Sequence, residues 1–212
     1  WVSGSAYDAV RQRVVLFDCA PWEWNGATWT QRKAPARPSA RLETALAYGV
    51  GHQRAVLFGG WDSYETFFSD TWEWDGYEWR ALATPVHPVA REGHALAYDA
   101  RRGVVVLFGG VNLGGARFDD TWEWDGIVWR ERTPNVRPPA RSNHAIIVAQ
   151  KKEGGGPVPA ALDVVQMCAF GSTSSRERRT ARRAEPESPE SGSRSPRSAG
   201  CGSPESCSSS PR

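Results

Sequence analysis

Apolar runs and turn signals between residues 94 and 131 predict four short strands in succession. His94 to Tyr98 is the first, ended by the turn Asp99-Ala100-Arg101-Arg102-Gly103. Val104 to Phe108 is an unbroken apolar run, the pattern of a strand buried on both faces, and it stops at Gly109-Gly110. A loop leads to the third strand, Thr121 to Trp124, which Asp125-Gly126 turns directly into the fourth, Ile127 to Glu131. Asp-Gly between aromatic strands signals a two-residue type I′ hairpin, whose central residues both need positive φ.

The same unit recurs at intervals of fifty residues. "TWEWDGYEWR" at 71–80 answers "TWEWDGIVWR" at 121–130, and "PWEWNGATWT" at 21–30 is an earlier version. Ala-Arg recurs at 40–41, 90–91 and 140–141, and Leu-Phe-Gly-Gly at 57–60 and 107–110. The register divides residues 1–171 into units of about 1–39, 40–89, 90–139 and 140–171. In the second unit, a two-residue turn at Asp75-Gly76 sets Trp74 opposite Tyr77, Glu73 opposite Glu78 and Trp72 opposite Trp79. Trp72, Trp74, Tyr77 and Trp79 are then expected to share one face of the hairpin. So large an aromatic stripe needs a neighbouring sheet to cover it. Trp122, Trp124 and Trp129 repeat the arrangement. The expected role of these tryptophans, and of Gly59, Gly60, Gly109 and Gly110, is structural.

Two units depart from the pattern. The first passes from Leu16-Phe17 to Pro21 with most of the loop deleted and with Asp18-Cys19 in place of Gly-Gly. The fourth begins correctly at Ala140, is interrupted by "VAQKKEGGGPVP", and "VVQMCAFGS" at 164–172 reads as a degraded second strand. From Ser174 to Arg212 there is no Val, Ile, Leu, Met or aromatic residue, so residues 172–212 are expected to form a disordered Ser/Arg/Pro/Glu-rich tail, with the look of a sequence read out of frame.

Composition narrows the classes. A net charge of +2 over 212 residues gives no electrostatic case for nucleic acid, and no apolar run approaches a membrane span. Acidic residues dilute the Arg-Ser character of the tail, so no nucleic-acid partner is expected. The four cysteines, Cys19, Cys168, Cys201 and Cys207, contain no CxxC pair, which argues against a zinc site or a disulfide framework. The sequence opens on Trp1 without a Met, and a signal peptide would lie outside it.

"GHALAYDARRGVVVLFGG" at 93–110, followed by "DDTWEWDGIVW" at 119–129, resembles the kelch repeat, a unit of about 50 residues with a double glycine after its second strand. Kelch units are the blades of β-propellers. The resemblance implies an all-β, partial kelch β-propeller with about three four-stranded antiparallel blades, part of a fourth, and edges open to self-association. It also implies a non-enzymatic binding or scaffold module with a protein or glycan partner, in a secreted or cell-surface setting. The alternative is a fragment of a galactose-oxidase-like carbohydrate-active enzyme, which shares the propeller. That chemistry needs copper held by Tyr, His and a Cys-linked Tyr. Residues 20–167 contain no Cys, so no cofactor and no metal site is expected.

Antiparallel alternation puts the loop between second and third strands on the same end of each blade as the link to the next. That end carries the variable sequence, "WDSYETFFSD" at 61–70 and "VNLGGARFDD" at 111–120. Variable loops on a rigid repeat are where binding usually resides. Trp61, Asp62, Tyr64, Phe67 and Phe68 in one loop, and Asn112, Arg117 and Phe118 in the other, are the candidate partner-binding residues. A structural reading competes with it for Phe67, Phe68 and Phe118, which can tuck between blades. Arg41, Arg91 and Arg141 share a repeat position; one reading has them line the binding face and hold an acidic ligand, and the favoured one pairs each with local carboxylates or carbonyls, such as Asp70 or Asp120, to order the blade. His94 and His144 are read as strand-start residues, and Glu23, Glu73 and Glu123 as repeat positions rather than catalytic acids.

Overall fold

The structure, a computed structural model, describes residues 4–18, 20–62, 64–148 and the strand at 165–169. The tail at 172–212 lies outside the described residues, as does most of the break in the fourth unit.

Each of the first three units is an antiparallel four-stranded meander in chain order. The first comprises β1 (Gly4–Asp8), β2 (Arg13–Asp18), β3 (Ala20–Trp24) and β4 (Trp29–Gln31). The second comprises β5 (Ala45–Gly49), β6 (Arg54–Phe58), β7 (Thr71–Trp74) and β8 (Trp79–Leu82). The third comprises β9 (Ala95–Asp99), β10 (Val104–Phe108), β11 (Thr121–Trp124) and β12 (Trp129–Arg132). In the fourth unit β13 (His144–Val148) pairs antiparallel with β14 (Val165–Ala169), within the stretch read as a second strand. The chain is all-β, and no helix occurs among the described residues.

The first strands stand side by side, β5 against β1, β9 against β5 and β13 against β9. The sheets fan out from this inner edge as blades do. Alternation within the apolar runs fills the seams between them. Ala55 and Leu57 point back to Val15 and Phe17 of the first sheet, in a cluster with Leu46, Tyr48, Trp74 and Trp79. Val56 and Phe58 point forward, with Ala47, to Val105, Leu107, Trp122, Trp124 and Trp129 of the third. Ala95, Ala97 and Phe108 in turn receive Ile146 of β13. β6 and β10 are therefore unbroken apolar runs because both of their faces are covered. The tryptophan faces of the second and third sheets pack backward onto the preceding sheet. A buried indole removes about 150–250 Å² from water, worth at most about 4–6 kcal/mol.

The hairpin register differs from the sequence expectation. Trp74 lies opposite Trp79, Glu73 opposite Arg80, Trp72 opposite Ala81 and Thr71 opposite Leu82. The connection is a four-residue loop, Asp75 to Glu78, and the same holds at Asp125. The Asp side chain is the cause. Asp75 Oδ1 accepts the N–H groups of Tyr77 and Glu78 at 2.8 and 2.9 Å, and Asp125 Oδ1 those of Ile127 and Val128 at 2.9 Å each. This Asx closure needs positive φ only at the glycine, 99° at Gly76 and 93° at Gly126. Tyr77 is consequently at the exposed tip and not in the aromatic stripe. Trp74 and Trp79 meet with ring centroids 5.5 Å apart.

The double glycines mark a backbone crossing. Gly59 and Gly60 have φ of 61° and 94°, and a Cβ on either would sit 2.7 Å from a carbonyl oxygen, of Arg91 and Leu42 respectively. The link into the third blade threads through this corner: Gly60 N–H donates to Arg91 O at 2.8 Å, and Arg91 N–H to Phe68 O at 3.2 Å. Gly110, Arg141 and Phe118 repeat the arrangement one blade later. In the first blade Asp18 pairs directly with Ala20, so the long loop is absent and only the second and third blades raise one.

Candidate functional site

The two long loops share one stem. Trp61 bridges to Leu42 and Phe67, and Val111 to Glu92 and Arg117, at matching positions. Asp62 Oδ1 accepts the N–H groups of Tyr64 and Thr66 at 2.9 and 2.8 Å, and Asn112 Oδ1 accepts that of Ala116 at 3.0 Å. Asp62 and Asn112 thus act as loop closures. Above the stem the loops diverge. Tyr64 is 81% exposed at one tip, and Leu113 is 52% exposed at the other. Arg117 is also exposed, while Trp61 and Phe67 are half-buried with ring centroids 6.3 Å apart. Leu113 was not singled out by the sequence reading. Its signal is an apolar residue immediately before the turn glycines Gly114-Gly115.

Phe68 and Phe118 are drawn inward. The Arg41 guanidinium lies 3.9 Å from the Phe68 ring centroid, and that of Arg91 lies 4.0 Å from Phe118. Each arginine is a buried clamp. Arg91 Nη1 and Nη2 donate to the two Asp120 oxygens at 2.6 and 2.7 Å, Nη1 also to Gly109 O at 2.9 Å, and Nε to Val89 O at 2.9 Å. It ties the incoming link, the glycine corner and the end of the loop together. Arg41 does the same with Asp70, Gly59 and Ser39. Burial alone would raise the Asp70 pKa, but the hydrogen bonds and charge of Arg41, with the Trp72 indole N–H, hold it below the ordinary value. These arginines are occupied in holding the loops and are not presented to a ligand.

Glu23, Glu73 and Glu123 are buried acids on the forward face of each third strand. Arg32 reaches Glu23 at 2.9 Å, Arg54 reaches Glu73 at 3.7 Å, and Arg102 and Arg132 both reach Glu123. The next blade's tryptophan supplies a further donor, with Trp74 Nε1 3.3 Å from Glu23 Oε1. Burial raises the Glu73 pKa, and the Arg54 charge and the Trp124 N–H oppose that rise. The acids stand at separate seams and do not converge on one pocket. Among the described residues no group of three or more His, Cys, Asp or Glu is placed to hold a metal ion.

His94 and His144 are buried beside the glycine corners, edge-on to Phe58 and Phe108 at 5.5 and 5.6 Å. Burial, then the charge of Arg91 and the neighbouring His144, push the His94 pKa down to about 3, and burial with Arg141 pushes His144 to about 4. A histidine whose folded pKa lies below its unfolded value adds stability that is complete above the unfolded value of 6.5 and is lost as pH falls from there toward the folded one. Stability is therefore expected to fall by up to about 1.4 kcal/mol per pH unit for each such histidine below about pH 6.5. Glu43 and Glu73, with raised pKa values, act in the opposite sense. The difference between the chain and a His94→Thr variant isolates the histidine, since Thr44 occupies this place in the second unit. Urea denaturation at pH 7 and pH 5 should show the variant losing less stability between the two.

No protein-family model matches the chain, and no curated protein is significantly similar to it in sequence. Solved structures do match its fold. The structure of YjhT aligns with a TM-score of 0.53 and 15% sequence identity, over 68% of this chain and 54% of that one. The likeness is one of fold. The chain thus spans about half the length of the solved structure it matches. Blade-like sheets fanning from a row of inner strands, together with this neighbour, make the array propeller-like.

Proposed function

We propose that the chain is part of a non-enzymatic, kelch-type binding or scaffold module whose partner, a protein or a glycan, meets the loop end of the second and third blades. The observation that carries this reading is the pair of loops with one stem and two different exposed tips, Tyr64 and Leu113. A stem closed by Asp62 or Asn112 and anchored by a buried arginine fixes the backbone, so an exposed tip loses little freedom on binding. Tyrosine offers a large contact area at low entropic cost and suits both protein and sugar surfaces. Arg117 adds a charge beside the tips, and Trp61 and Phe67 a half-buried aromatic floor.

The test is a screen of the purified chain against an immobilised glycan array and a displayed peptide library, followed by titration of any hit. A Tyr64→Ala/Leu113→Ser double variant should weaken binding at least about tenfold, the loss expected of a binding hot spot. A Tyr77→Ala/Ile127→Ala control at the opposite end should leave it unchanged. Equal loss in both variants, or no binder in either collection, would remove the proposal.

A further inference from the structure

The first blade carries the same tryptophan face as the other two, ready-formed and uncovered. Trp24 and Trp29 stand opposite each other with centroids 5.6 Å apart and planes at 39°. The covered pairs have nearly identical geometry, 5.5 Å and 38° for Trp74–Trp79 and 5.5 Å and 41° for Trp124–Trp129. Trp29 is nevertheless 47% exposed, where its counterparts Trp79 and Trp129 are each 2% exposed. Tyr7, the counterpart of buried Tyr48, is exposed as well. Val14 and Leu16, the counterparts of Ala55 and Leu57, lie on the same face, across from Trp24 and Trp22.

We propose that this face, Trp22, Trp24 and Trp29 with Tyr7, Val14 and Leu16, is a docking surface for the forward face of a further unit of the same repeat, one whose third strand offers Thr-x-Glu. The two completed seams state what the occupant must supply. Apolar side chains of graded size pack against the indoles, as Ala47, Val56 and Phe58 do against the third blade. In each completed seam a hydrogen-bond acceptor also meets one of the two paired indoles. Glu23 lies 3.3 Å from Trp74 Nε1, and Thr71 Oγ1 lies 2.9 Å from Trp129 Nε1. A purely apolar partner would bury the donors of Trp24 and Trp29 without acceptors, which is costly. A sheet with Thr-x-Glu, its acid held by arginines of its own blade, meets both demands. The nearly identical tilt of the first pair means that these two rings need not rearrange to accept such a sheet.

The experiment extends the full chain by a second copy of residues 92–141 placed before Trp1, which continues the repeat in register because Tyr98 then aligns with Tyr7. The protein is labelled with 5-fluorotryptophan, and the Trp29 fluorine resonance is identified through a Trp29→Phe variant. Docking should sharply reduce the effect of solvent on that resonance and raise the melting temperature by roughly 5–10 °C, as expected of a few kcal/mol in a chain of this size. Thr121→Val and Glu123→Gln changes confined to the added copy should remove part of the gain, and Trp29→Ser most of it, the gain in that case being measured against the unextended chain carrying the same Trp29→Ser change. A Trp29 resonance as solvent-exposed in the extended chain as in the original overturns the proposal. So does protection of Trp29 in the unextended chain that grows with protein concentration in step with sedimentation, because the occupant is then a second copy's surface and not an added blade.

Discussion

Replacing Arg91 with Ala is expected to cost about 3–5 kcal/mol, the usual penalty for leaving one member of a buried ion pair without its partner. Arg91 is fully buried, and the side chain of Asp120 is only 17% exposed. The substitution strands that carboxylate, frees Gly109 O and Val89 O, and takes away the surface on which Phe118 rests. Arg91→Lys should recover little, because one ammonium cannot reproduce two parallel bonds to a carboxylate and a third to a carbonyl. The series across the repeat provides an internal scale. Arg41→Ala should cost less, since the Asp70 side chain is 39% exposed and water can replace part of the loss. Arg141→Ala should cost least, because its Nε bonds Pro139 O and no carboxylate among the described residues reaches its guanidinium. Urea melts of the three variants, with unchanged m-values, check the order; equal losses at all three positions would show that the clamp is not the cause.

Trp129→Ala is expected to cost a similar 3–5 kcal/mol as a large-to-small change in a sealed seam. Its comparison with Trp79 separates packing from hydrogen bonding. Both rings are buried against the preceding blade, but only Trp129 has a hydroxyl to meet, Thr71 Oγ1. The corresponding position in the first blade is Pro21, and Trp79 Nε1 has no hydrogen-bond partner among the described residues. Thr71→Val should therefore destabilise by about 1–3 kcal/mol, because it buries a donor without an acceptor. Pro21→Thr should stabilise by about 1 kcal/mol through the reverse change. Thermal or urea denaturation of the pair measures both, and a Pro21→Thr variant no more stable than the parent would dissociate the orphaned indole from any cost.

The blades were legible because their signal is redundant. The period, the double glycine and the Ala-Arg pair fix the register before any strand is drawn, and β10 and β11 occupy the expected residues. The hairpin loop was misread because the Asp-Gly dipeptide reports that the chain turns, and not whether the Asp side chain closes the turn two residues later. The arginine clamp was legible from its recurrence with Asp70 and Asp120. Its companion contact with Phe68 and Phe118 was not, since an aromatic residue in a variable loop looks the same whether it faces a ligand or a guanidinium. The seam acceptors Glu23 and Thr71 were hidden for a different reason. Their partners lie 51 and 58 positions away and become visible only once one sheet is laid against the next. The loop tips lie in between, for sequence located the loops and structure located Tyr64 and Leu113 at their summits.

The backward packing of the tryptophan faces also bears on biosynthesis. A chain leaves the ribosome N-terminus first, and domains generally fold in that order. When the hairpin of the second or third unit emerges, the sheet it must cover has already been made, so each aromatic stripe finds a finished wall behind it. Had the stripes faced forward, every blade would have had to hold its indoles in water until the following fifty residues were translated, inviting association between nascent chains. The direction in which a side chain points across a seam thus sets how long the most adhesive surface of each unit stays wet.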